Sequence, residues 1–555
     1  MKRRDFLKIF GAGGLTPFVV NGHALRPFAN SQMARMLSSC DEVNDRVLVL
    51  IQLKGGNDGL NTIVPVAQYD TYANLRPVIR VPLTGQGQMI PLDNTLPIPD
   101  RVGLHPAMTG VKALYDKGWV RIVQGVGYEN INQSHFKGTD LWLSGGDSTP
   151  EKHNLYSGWF GRALQAMYPF VKGEPHPDME YPLGIQIGDP YPSLGFHSET
   201  EHQNSINLYG QDPDGFYSLV QTIGGAPLPN IPDSDYGDEI RYILGVEKSV
   251  DTYSEKISEA FKAGSNHLSG YPNHNDLANQ LKTVARLIKG GCKTRIYLCN
   301  LGGFDTHGNQ LEPEGDLSSG GHGRLLGLLS EAVKFFFDDL QGLGLADQVL
   351  ACTFSEFGRT ARENGAGGTD HGTLAPMFIF GKNVAPGIEG TNVNLSNLAG
   401  GDQLQGMQYD YRQVFATFLQ DWLGGGATVM QTALFEGFNK LALLEAQAVV
   451  DPDCYIGETV SWSDVGTRRK TLQVFPNPAV TRAEVSFYSD NSFPARLSLH
   501  SLGGALVSLK NAQINPGLNL FWLDVAALHS GPYFVRLENA LNGRGEVTRL
   551  QVVNQ

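Results

Sequence analysis

Arg46-Val-Leu-Val-Leu-Ile-Gln-Leu53 is an almost uninterrupted apolar run, and it leads directly into Lys54-Gly-Gly-Asn-Asp-Gly-Leu-Asn61. A short apolar run bounded by glycine and polar residues is typical of a strand buried on both faces. Similar runs occur at 119–124, 183–187, 294–300, 348–354 and 377–380. Helical periodicity appears between them, at 106–117, 276–289, 323–343 and 411–423. The alternation predicts an α/β fold with a mainly parallel sheet flanked by helices.

The chain has 555 residues, enough for one large domain and a smaller one. We expect the α/β domain at 45–450. The stretch 196–274 is polar and acidic without a clear strand, and we interpret it as an insertion. From 471 to 555, alternating segments such as Ala483-Glu-Val-Ser-Phe-Tyr488 predict a small all-β sandwich, joined by a linker at 451–470.

The composition excludes some classes of protein. Charged residues make up only 18% of the chain and hydrophobic residues 41%, which argues against a disordered polyelectrolyte. The formal net charge is −13, and no basic stripe is visible, so we expect no nucleic-acid partner. Five scattered cysteines form no CxxC pair, so a zinc ribbon is not indicated.

The N-terminal segment has the pattern of an export signal. Met1-Lys-Arg-Arg-Asp-Phe-Leu-Lys8 precedes a short, weakly apolar run, which resembles a twin-arginine signal, and we assign 1–40 to signal and leader. A basic N-terminal tail is the alternative. No other segment has the roughly 18–20 apolar residues of a membrane span, so we expect none in the mature chain.

Polar loops follow the predicted strands. In parallel sheets the carboxyl ends of the strands share one edge, where ligands bind, so these loops should converge. The residues expected to meet there are Asp58, Ser134, His135, Asp305, His307, Glu356, Arg359, Asp370 and His371, and His322 could join them. Carboxylates and imidazoles without thiolates suit zinc, manganese, magnesium or calcium. We therefore predict a site for one or two divalent ions.

Each residue also has an alternative interpretation. Asp58 in Asn-Asp-Gly could be a turn residue, and Ser134 could cap the helix that follows it. Asp305 and His307 could form a hydrogen-bonded corner, and Glu356 and Arg359 a local salt bridge. Asp370 could simply orient His371, and His105 is interpreted as structural. These interpretations stay open at the level of sequence.

Several motifs together resemble a known family. They are Gly55-Gly-Asn-Asp-Gly-Leu-Asn61, Ser134-His-Phe136, Gly158-Trp-Phe-Gly-Arg162, Gly303-Phe-Asp-Thr-His307, Ser355-Glu-Phe-Gly-Arg359, Gly368-Thr-Asp-His-Gly372 and Asp410-Tyr-Arg412. Between about 45 and 425 the chain resembles the domain-of-unknown-function family 1501, sulfatase-like exported proteins grouped with the alkaline phosphatase superfamily. The resemblance implies an alkaline phosphatase-like fold with divalent metals bound by Asp and His.

The resemblance also implies roles for individual residues. Asp58 matches the acidic ligand after the first strand, Ser134 the nucleophile region, and Asp305 with His307 one metal cluster. Glu356 matches an acidic loop, and Asp370 or His371 the last ligand. Phe357 follows Glu356 at the position where the alkaline phosphatase superfamily usually has His. The resemblance therefore does not establish a second metal site. The one formylglycine-type match, Ser492-Phe-Pro-Ala-Arg496, lies in the C-terminal sandwich and is disfavoured as a site.

The C-terminal part resembles the sorting domain of type IX secretion substrates. The motifs are Val474-Phe-Pro-Asn-Pro478, Ser501-Leu-Gly503 and Ser530-Gly-Pro-Tyr-Phe-Val535. The resemblance implies secretion machinery as a partner and an extracellular or outer-surface location, or a periplasmic one if the sorting domain is not used.

Together these features favour an exported metal-dependent hydrolase of phosphate or sulfate esters. The substrate would be an anionic ester, which a polysaccharide could carry. Arg359 would clamp the oxyanion, and His135, His307 or His322 would protonate the leaving group. The alternative is a secreted binding or structural protein that keeps the hydrolase fold without catalysis. A Ser-His-Asp peptidase or esterase is disfavoured because no Gly-x-Ser-x-Gly elbow is present.

Overall fold

Among the residues that the structure describes, a mixed sheet of nine strands lies in the unit Met1–Gly457 of the computed structural model. Its spatial order is Gly387–Glu389, Val120–Gly127, Ala375–Phe380, Val349–Phe354, Val47–Lys54, Ile296–Gly302, Gly184–Gln186 and Ser205–Asn207, with Tyr409–Asp410 also pairing with Val120–Gly127. Ala375–Phe380 is antiparallel to both neighbours, and the other pairs are parallel. The predicted α/β fold with a mainly parallel sheet is confirmed.

The structure describes residues 18–20, 23–25, 45–171, 173, 175–198, 204–208, 212–223, 250–308, 310–311, 320–450, 472–475, 479–489, 492–501, 506–515, 517–541 and 545–553. The twin-arginine-like residues 1–8 and the predicted linker 451–470 lie outside this set. Phe18–Val20 and His23–Leu25, within the predicted leader, pair as antiparallel strands. None of the helices described is long and apolar enough to cross a membrane.

Helices cover the sheet. The α-helices are Gly59–Thr62, Tyr69–Leu75, Thr109–Asp116, His135–Ser144, Trp159–Met167, Pro213–Ile223, Asp276–Lys289, Gly321–Leu343, Tyr411–Thr417 and Ala427–Thr432, and residues 250–263 are also helical. A π-helix, Phe418–Trp422, continues Tyr411–Thr417, and short 3-10 helices occur at Val66–Gln68, Ile98–Asp100, Leu194–Phe196 and Ala446–Ala448. Two small sheets consist of Ile63–Pro65, Val102–Leu104 and Ile90–Pro91, and of Leu398–Ala399 with Gln403–Leu404.

The strand Val47–Lys54 shows why its sequence is almost wholly apolar. Val49 and Ile51 pack into the core on one face, whereas Leu48 and Leu50 pack into the core on the other. All four side chains are fully buried because helices cover both faces. Helices Asp276–Lys289 and Gly321–Leu343 contribute to the first core, and Trp159–Met167 and Tyr411–Thr417 to the second. The apolar sequence of the strand therefore reflects its position inside the sheet, with both faces covered.

One antiparallel strand changes which loop reaches the carboxyl edge of the sheet. Because Ala375–Phe380 runs against Val349–Phe354, its preceding segment, not its following one, lies at the edge where the parallel strands end. Residues 370 and 371 belong to this preceding segment. The antiparallel strand therefore brings Asp370 and His371 toward the loops that follow the parallel strands.

The stretch 196–274 contains a strand that the sequence pattern did not predict. Ser205–Asn207 pairs in parallel with Gly184–Gln186 at the edge of the main sheet. The expectation of no strand here is wrong. A three-residue strand at a sheet edge contains too few apolar positions for its hydrophobic pattern to be visible in the sequence. The insertion itself stays a prediction.

The unit Glu458–Gln555 contains two antiparallel sheets. One consists of Gln473–Phe475, Arg482–Ser489 and Gly517–Asp524, and the other of Leu506–Ile514, Phe493–Ser501, Gly531–Asn539 and Gly545–Val552. Alternate side chains such as Val485, Leu497 and Val535 form one buried core. The alternating sequence pattern thus produces the predicted all-β arrangement.

Candidate functional site

Three histidines converge on one carboxylate at the carboxyl edge of the main sheet. Asp305 follows the strand Ile296–Gly302. The Nε2 atoms of His307 and His371 lie 3.2 Å and 3.3 Å from its Oδ1, and Nε2 of His135 lies 3.3 Å from its Oδ2. These four residues are called the Asp305 cluster below. Their loops are distant in sequence, so only the sheet topology assembles them.

The opposite nitrogen of each ring is held by an acceptor. The Nδ1 partners are Glu356 Oε1 at 2.8 Å for His135, Gln133 O at 2.8 Å for His371 and Asp370 Oδ1 at 3.0 Å for His307. A carbonyl or ionised carboxylate only accepts, so Nδ1 carries the proton in each pair. Metal-binding histidines typically donate their second N–H to such an acceptor, which orients the ring.

The charge state of Asp305 suits a cation. Its side chain is 47% exposed, and its Oδ1 accepts a hydrogen bond of 2.6 Å from Nη2 of Arg359. Partial burial opposes ionisation, but the Arg359 guanidinium and His135 outweigh it and hold the pKa of Asp305 below its usual value. The carboxylate is therefore ionised at neutral pH.

The imidazoles differ in their electrostatics. Burial lowers the pKa of His371, so this ring is neutral at pH 7 and its Nε2 is a bare lone pair facing Asp305. The hydrogen bond to Glu356 raises the pKa of His135. A lone pair 3.3 Å from a carboxylate oxygen is unfavourable unless positive charge lies between them.

The donor set fits a divalent ion. One donor atom each from His135, Asp305 and His371 lie within 4.8 Å of one another. Among the described residues, Nε2 of His135 is buried without a hydrogen-bond partner, since its approach to Asp305 lacks hydrogen-bond geometry. Two imidazoles and a carboxylate are a common set for zinc and other transition metals.

Phe357, which departs from the superfamily pattern, packs against the cluster. Its ring centroid lies 4.9 Å from that of His135 and 4.7 Å from that of His371. The side chain is buried and offers no ligand atom. It therefore fixes two rings of the cluster where the resemblance suggested another metal-binding histidine.

Glu356 contacts and orients His135, and its predicted role as a direct ligand stays a prediction. Its side chain is almost fully buried, and Oε1 accepts hydrogen bonds of 2.8 Å from both Gly55 N and Nδ1 of His135. The predicted ligand Asp370 contacts Nδ1 of His307, the nitrogen opposite to the one that faces Asp305. Both carboxylates thus orient imidazoles.

The surroundings of Arg359 do not favour its predicted role as an oxyanion clamp, which stays a prediction. Its guanidinium is fully buried and donates to the carbonyl oxygens of Gly56 and Thr369, among others, as well as to Asp305. These bonds hold the loops after two strands together. Because the guanidinium is fully buried, it is not open to a substrate oxyanion.

The surroundings of Asp58 do not favour its predicted role as a metal ligand, which stays a prediction. It is fully buried, caps the helix Gly59–Thr62, and its Oδ2 accepts 2.7 Å and 2.5 Å hydrogen bonds from Arg76 and Gln310. Burial opposes its ionisation, but Arg76 and His322 outweigh this and lower the pKa of Asp58. The guanidinium of Arg76 thus neutralises this carboxylate.

His322 lies in the same buried region. Its Nε2 is 3.1 Å from Oδ1 of Asn57, and burial lowers its pKa to about 4. The ring is buried, and its Nδ1 has no hydrogen-bond partner among the described residues, so the predicted metal-ligand role stays a prediction. Asp58, Arg76 and His322 are called the Asp58 cluster below. His105, which packs edge-on against His322, is buried as its structural interpretation requires.

Ser134 is the N-cap residue of the helix His135–Ser144, and it is exposed. Its hydroxyl makes no hydrogen bond to the first turn of the helix, so the side chain does not act as a cap. The predicted nucleophilic role stays a prediction. Its neighbour His135 lines the cavity described next.

A cavity of about 490 Å³ opens beside the Asp305 cluster. It lies at the carboxyl ends of Val47–Lys54, Gly184–Gln186 and Ile296–Gly302, and its lining includes Lys54, Phe136, Asp140, Asp189 and Tyr191 as well as His135, Asp305 and Glu356. Lys54 forms an ion pair with Asp189. Burial lowers the pKa of Lys54, against the opposing effect of Glu356.

Sequence reasoning missed Lys54, Asp189 and Tyr191. Lys54 ends the strand Val47–Lys54, and Asp189 comes three residues after Gly184–Gln186, so the rule that polar residues after strands meet at one edge could have found both. The sequence gives no signal for the Gln133 carbonyl that orients His371, since every residue has a backbone carbonyl.

Gly55 permits the close approach of two loops. Its φ is +118°, and a Cβ at this position would lie 2.3 Å from the backbone nitrogen of Asp305. Both the conformation and the space therefore require glycine. The Gly-Gly pair after the first strand is thus part of how Asp305 is positioned.

Two family models match the chain. Residues 245–424 match the protein family of unknown function DUF1501, and residues 473–552 match the secretion system C-terminal sorting domain. The first match covers about a third of the chain and includes Asp305, Glu356 and His371 but not His135. The sorting-domain match indicates export. No protein of curated function matches the chain.

Among solved structures, the chain is similar to an alkaline phosphatase superfamily protein from Vibrio parahaemolyticus, with 9% identity over 94% of this chain and 92% of that one and a TM-score of 0.30. A sulfatase from Pseudoalteromonas sp. has 10% identity over 91% and 89%, with a TM-score of 0.30.

PorZ, a surface component of the type-IX secretion system of Porphyromonas gingivalis, has 15% identity over 18% of this chain and a TM-score of 0.11; the match spans 13% of PorZ. The family matches confirm both resemblances, the first of them over residues 245–424 of the predicted 45–425. The chain is therefore similar to the family DUF1501 at residues 245–424 and to the secretion system C-terminal sorting domain at residues 473–552.

Proposed function

We propose that this protein is an exported hydrolase of phosphate or sulfate esters that depends on one divalent cation held by the Asp305 cluster. The observation that supports it is the convergence of three Nε2 atoms on one carboxylate while each Nδ1 is held by an acceptor. One ion is proposed, because Asp58 and Glu356 are already satisfied by protein donors.

A bound divalent cation supplies Lewis-acid activation of the ester and of the attacking hydroxyl group. His135 and His371 would hold it through Nε2 and Asp305 through its carboxylate. Lys54 lies in the cavity beside the cluster but is already paired with Asp189, so the cation would offset the charge of the anionic ester. Arg359 would keep Asp305 ionised and in place.

Ser134 is the proposed nucleophile, since its exposed hydroxyl stands at a helix N-terminus, where free N–H groups favour an anion. Attack by the Ser134 oxygen would break the bond between the ester oxygen and phosphorus or sulfur, and water would then cleave the serine ester, restoring the hydroxyl and releasing inorganic phosphate or sulfate. His307 is 45% exposed and its Nε2 carries no proton, so we assign to this atom the transfer of the serine proton to the departing alcohol.

The test is to purify the full chain, measure bound metals by elemental analysis, and assay aryl phosphates and aryl sulfates. Asp305→Asn should lose both the metal and at least about 100-fold in turnover, because it removes the shared ligand. Asp178→Asn, at an exposed carboxylate outside the cluster, should match the wild type. Loss of metal with unchanged turnover would refute the proposal.

The alternative, a secreted binding or structural protein, is favoured by one observation. Arg359, the residue expected to bind the oxyanion, is consumed by contacts within the protein. In that case the cation would only join the loops after the strands. Stoichiometric metal that raises Tm, with no hydrolysis in a broad ester screen, would support this alternative.

A further inference from the structure

Two strongly exposed aromatic side chains line the cavity beside the Asp305 cluster. Phe136 is 87% exposed and Tyr191 is 77% exposed. Phe136 lies in the helix His135–Ser144, whereas Tyr191 belongs to the loop after Gly184–Gln186. Scattered exposed apolar residues are common, but aromatic rings from separate elements on one cavity are typical of a ligand site.

The charges of this cavity are not those of a polyanion site. Lys54 is the one lysine or arginine among the described lining residues, and it is already paired with Asp189. Asp140 adds a carboxylate that has an electrostatic interaction with Lys137 but no hydrogen bond or ion pair within the described part of the chain. Away from the proposed cation, the cavity therefore has an excess of negative charge.

These two properties select a type of ligand. Aromatic faces bind flat apolar surfaces, and carboxylates accept hydrogen bonds from hydroxyl groups. A group that offers both is a sugar ring, which has apolar C–H faces and a rim of hydroxyls. The volume of about 490 Å³ is within the range of cavities that enclose small organic ligands.

Resting on the proposed function, we infer that the ester's alcohol portion is a neutral sugar, bound by Phe136 and Tyr191 through its faces and by Asp140 and Asp189 through its hydroxyls. The single anionic group of the substrate lies at the Asp305 cluster. A sugar with further sulfate or phosphate groups in the cavity is disfavoured, because Asp140 and Asp189 would repel them.

The experiment measures sugar binding apart from catalysis. The full chain, stripped of metal with EDTA, is titrated by ligand-observed NMR with maltose, cellobiose, laminaribiose and lactose, and with a heparin-derived tetrasaccharide as the polyanionic probe, at physiological salt. At least one neutral disaccharide should bind, and the heparin tetrasaccharide should not displace it. Phe136→Ala and Tyr191→Ala should each weaken binding about fivefold.

The matched control is Tyr156→Ala, since Tyr156 is 88% exposed but does not line the cavity. It should bind sugar as the wild type does. The inference is overturned if no neutral disaccharide binds, if all three variants bind equally, or if the heparin tetrasaccharide competes.

The two proposals fail separately. Sugar binding without hydrolysis of any ester would leave this inference standing and remove the proposed function. Metal-dependent hydrolysis of aryl esters without sugar binding would do the reverse.

Discussion

Two groups of acidic and imidazole side chains come from similar sequence motifs but differ in how their charge is balanced. In the Asp58 cluster, the fully buried Arg76 neutralises the carboxylate at 2.7 Å. In the Asp305 cluster, the carboxylate is half exposed and two of its neighbours, His307 and His371, present Nε2 atoms to the same oxygen. The first cluster is buried and contains its own cation, whereas the carboxylate of the second is exposed to solvent.

The comparison shows that residue type does not distinguish a ligand from a structural group. Both Asp58 and Asp305 follow strands at the same sheet edge, and both have a lowered pKa with an arginine as a major cause. The distinction lies in the exposure of the carboxylate, since Nδ1 of His322 and Nε2 of His135 both lack a hydrogen-bond partner among the described residues. The following predictions test that distinction, from the largest expected effect to the smallest.

Asp58→Asn should have the largest effect, a loss of about 3–5 kcal/mol in the free energy of unfolding, because it leaves the Arg76 charge buried and uncompensated. Urea denaturation of the metal-stripped chain would measure it. Asp402→Asn, which breaks an exposed pair with Arg362, serves as the control and should cost at most about 1 kcal/mol. Equal losses in the two variants would contradict the assignment of Asp58.

Metal should stabilise the protein through the Asp305 cluster alone. Zinc or manganese at about 100 times its Kd should add about 2.7 kcal/mol to the free energy of unfolding of the stripped chain. His371→Ala should remove this increment, because it removes one of the three donors. His274→Ala, an exposed histidine elsewhere, should retain it. An increment that survives His371→Ala would place the ion at another site.

Glu356→Gln should weaken metal binding about 10-fold to 100-fold, since the residue acts by orienting His135 through Nδ1. Competition with a fluorescent chelator would report the Kd. If Glu356 were a direct ligand, the loss would equal that of Asp305→Asn. Measuring both variants side by side therefore separates a positioning carboxylate from a binding one.

The smallest expected effect is the loss at acid pH of the contribution of Asp58 to stability. Because the folded-state pKa of Asp58 is lowered, its contribution to stability is fully present above the unfolded value of about 3.9 and is lost as pH falls through the folded-state pKa. The stability difference between wild type and Asp58→Asn should therefore shrink below about pH 4. Urea midpoints measured from pH 3 to pH 6 would show it, and a constant difference would contradict the ionised state of Asp58.

Much of the fold could be predicted because its causes are local. The strand Val47–Lys54 is apolar at successive positions since both of its faces are covered, and the helix Asp276–Lys289 has the predicted bounds because its apolar stripe and Asn275 cap are local features. The strand Ser205–Asn207 was missed because its place depends on a neighbour, Gly184–Gln186.

The roles within the site were less predictable. Seven of the ten candidate residues contact one another around Asp305, because each follows or precedes a strand at one edge. Arg359 could not be recognised as structural, since the carbonyl oxygens that it binds leave no sequence signal. The same holds for the Gln133 carbonyl behind His371.

By itself, the amino-acid sequence determined the α/β sheet, the all-β C-terminal part and the edge at which acidic and imidazole groups gather, because apolar periodicity is encoded residue by residue. Only the tertiary structure decided which carboxylate is open to a cation. Arg76 forms an ion pair with Asp58, whereas Asp305 is partly exposed and lies among three imidazoles. Such pairings depend on distances between side chains, which the order of residues does not contain.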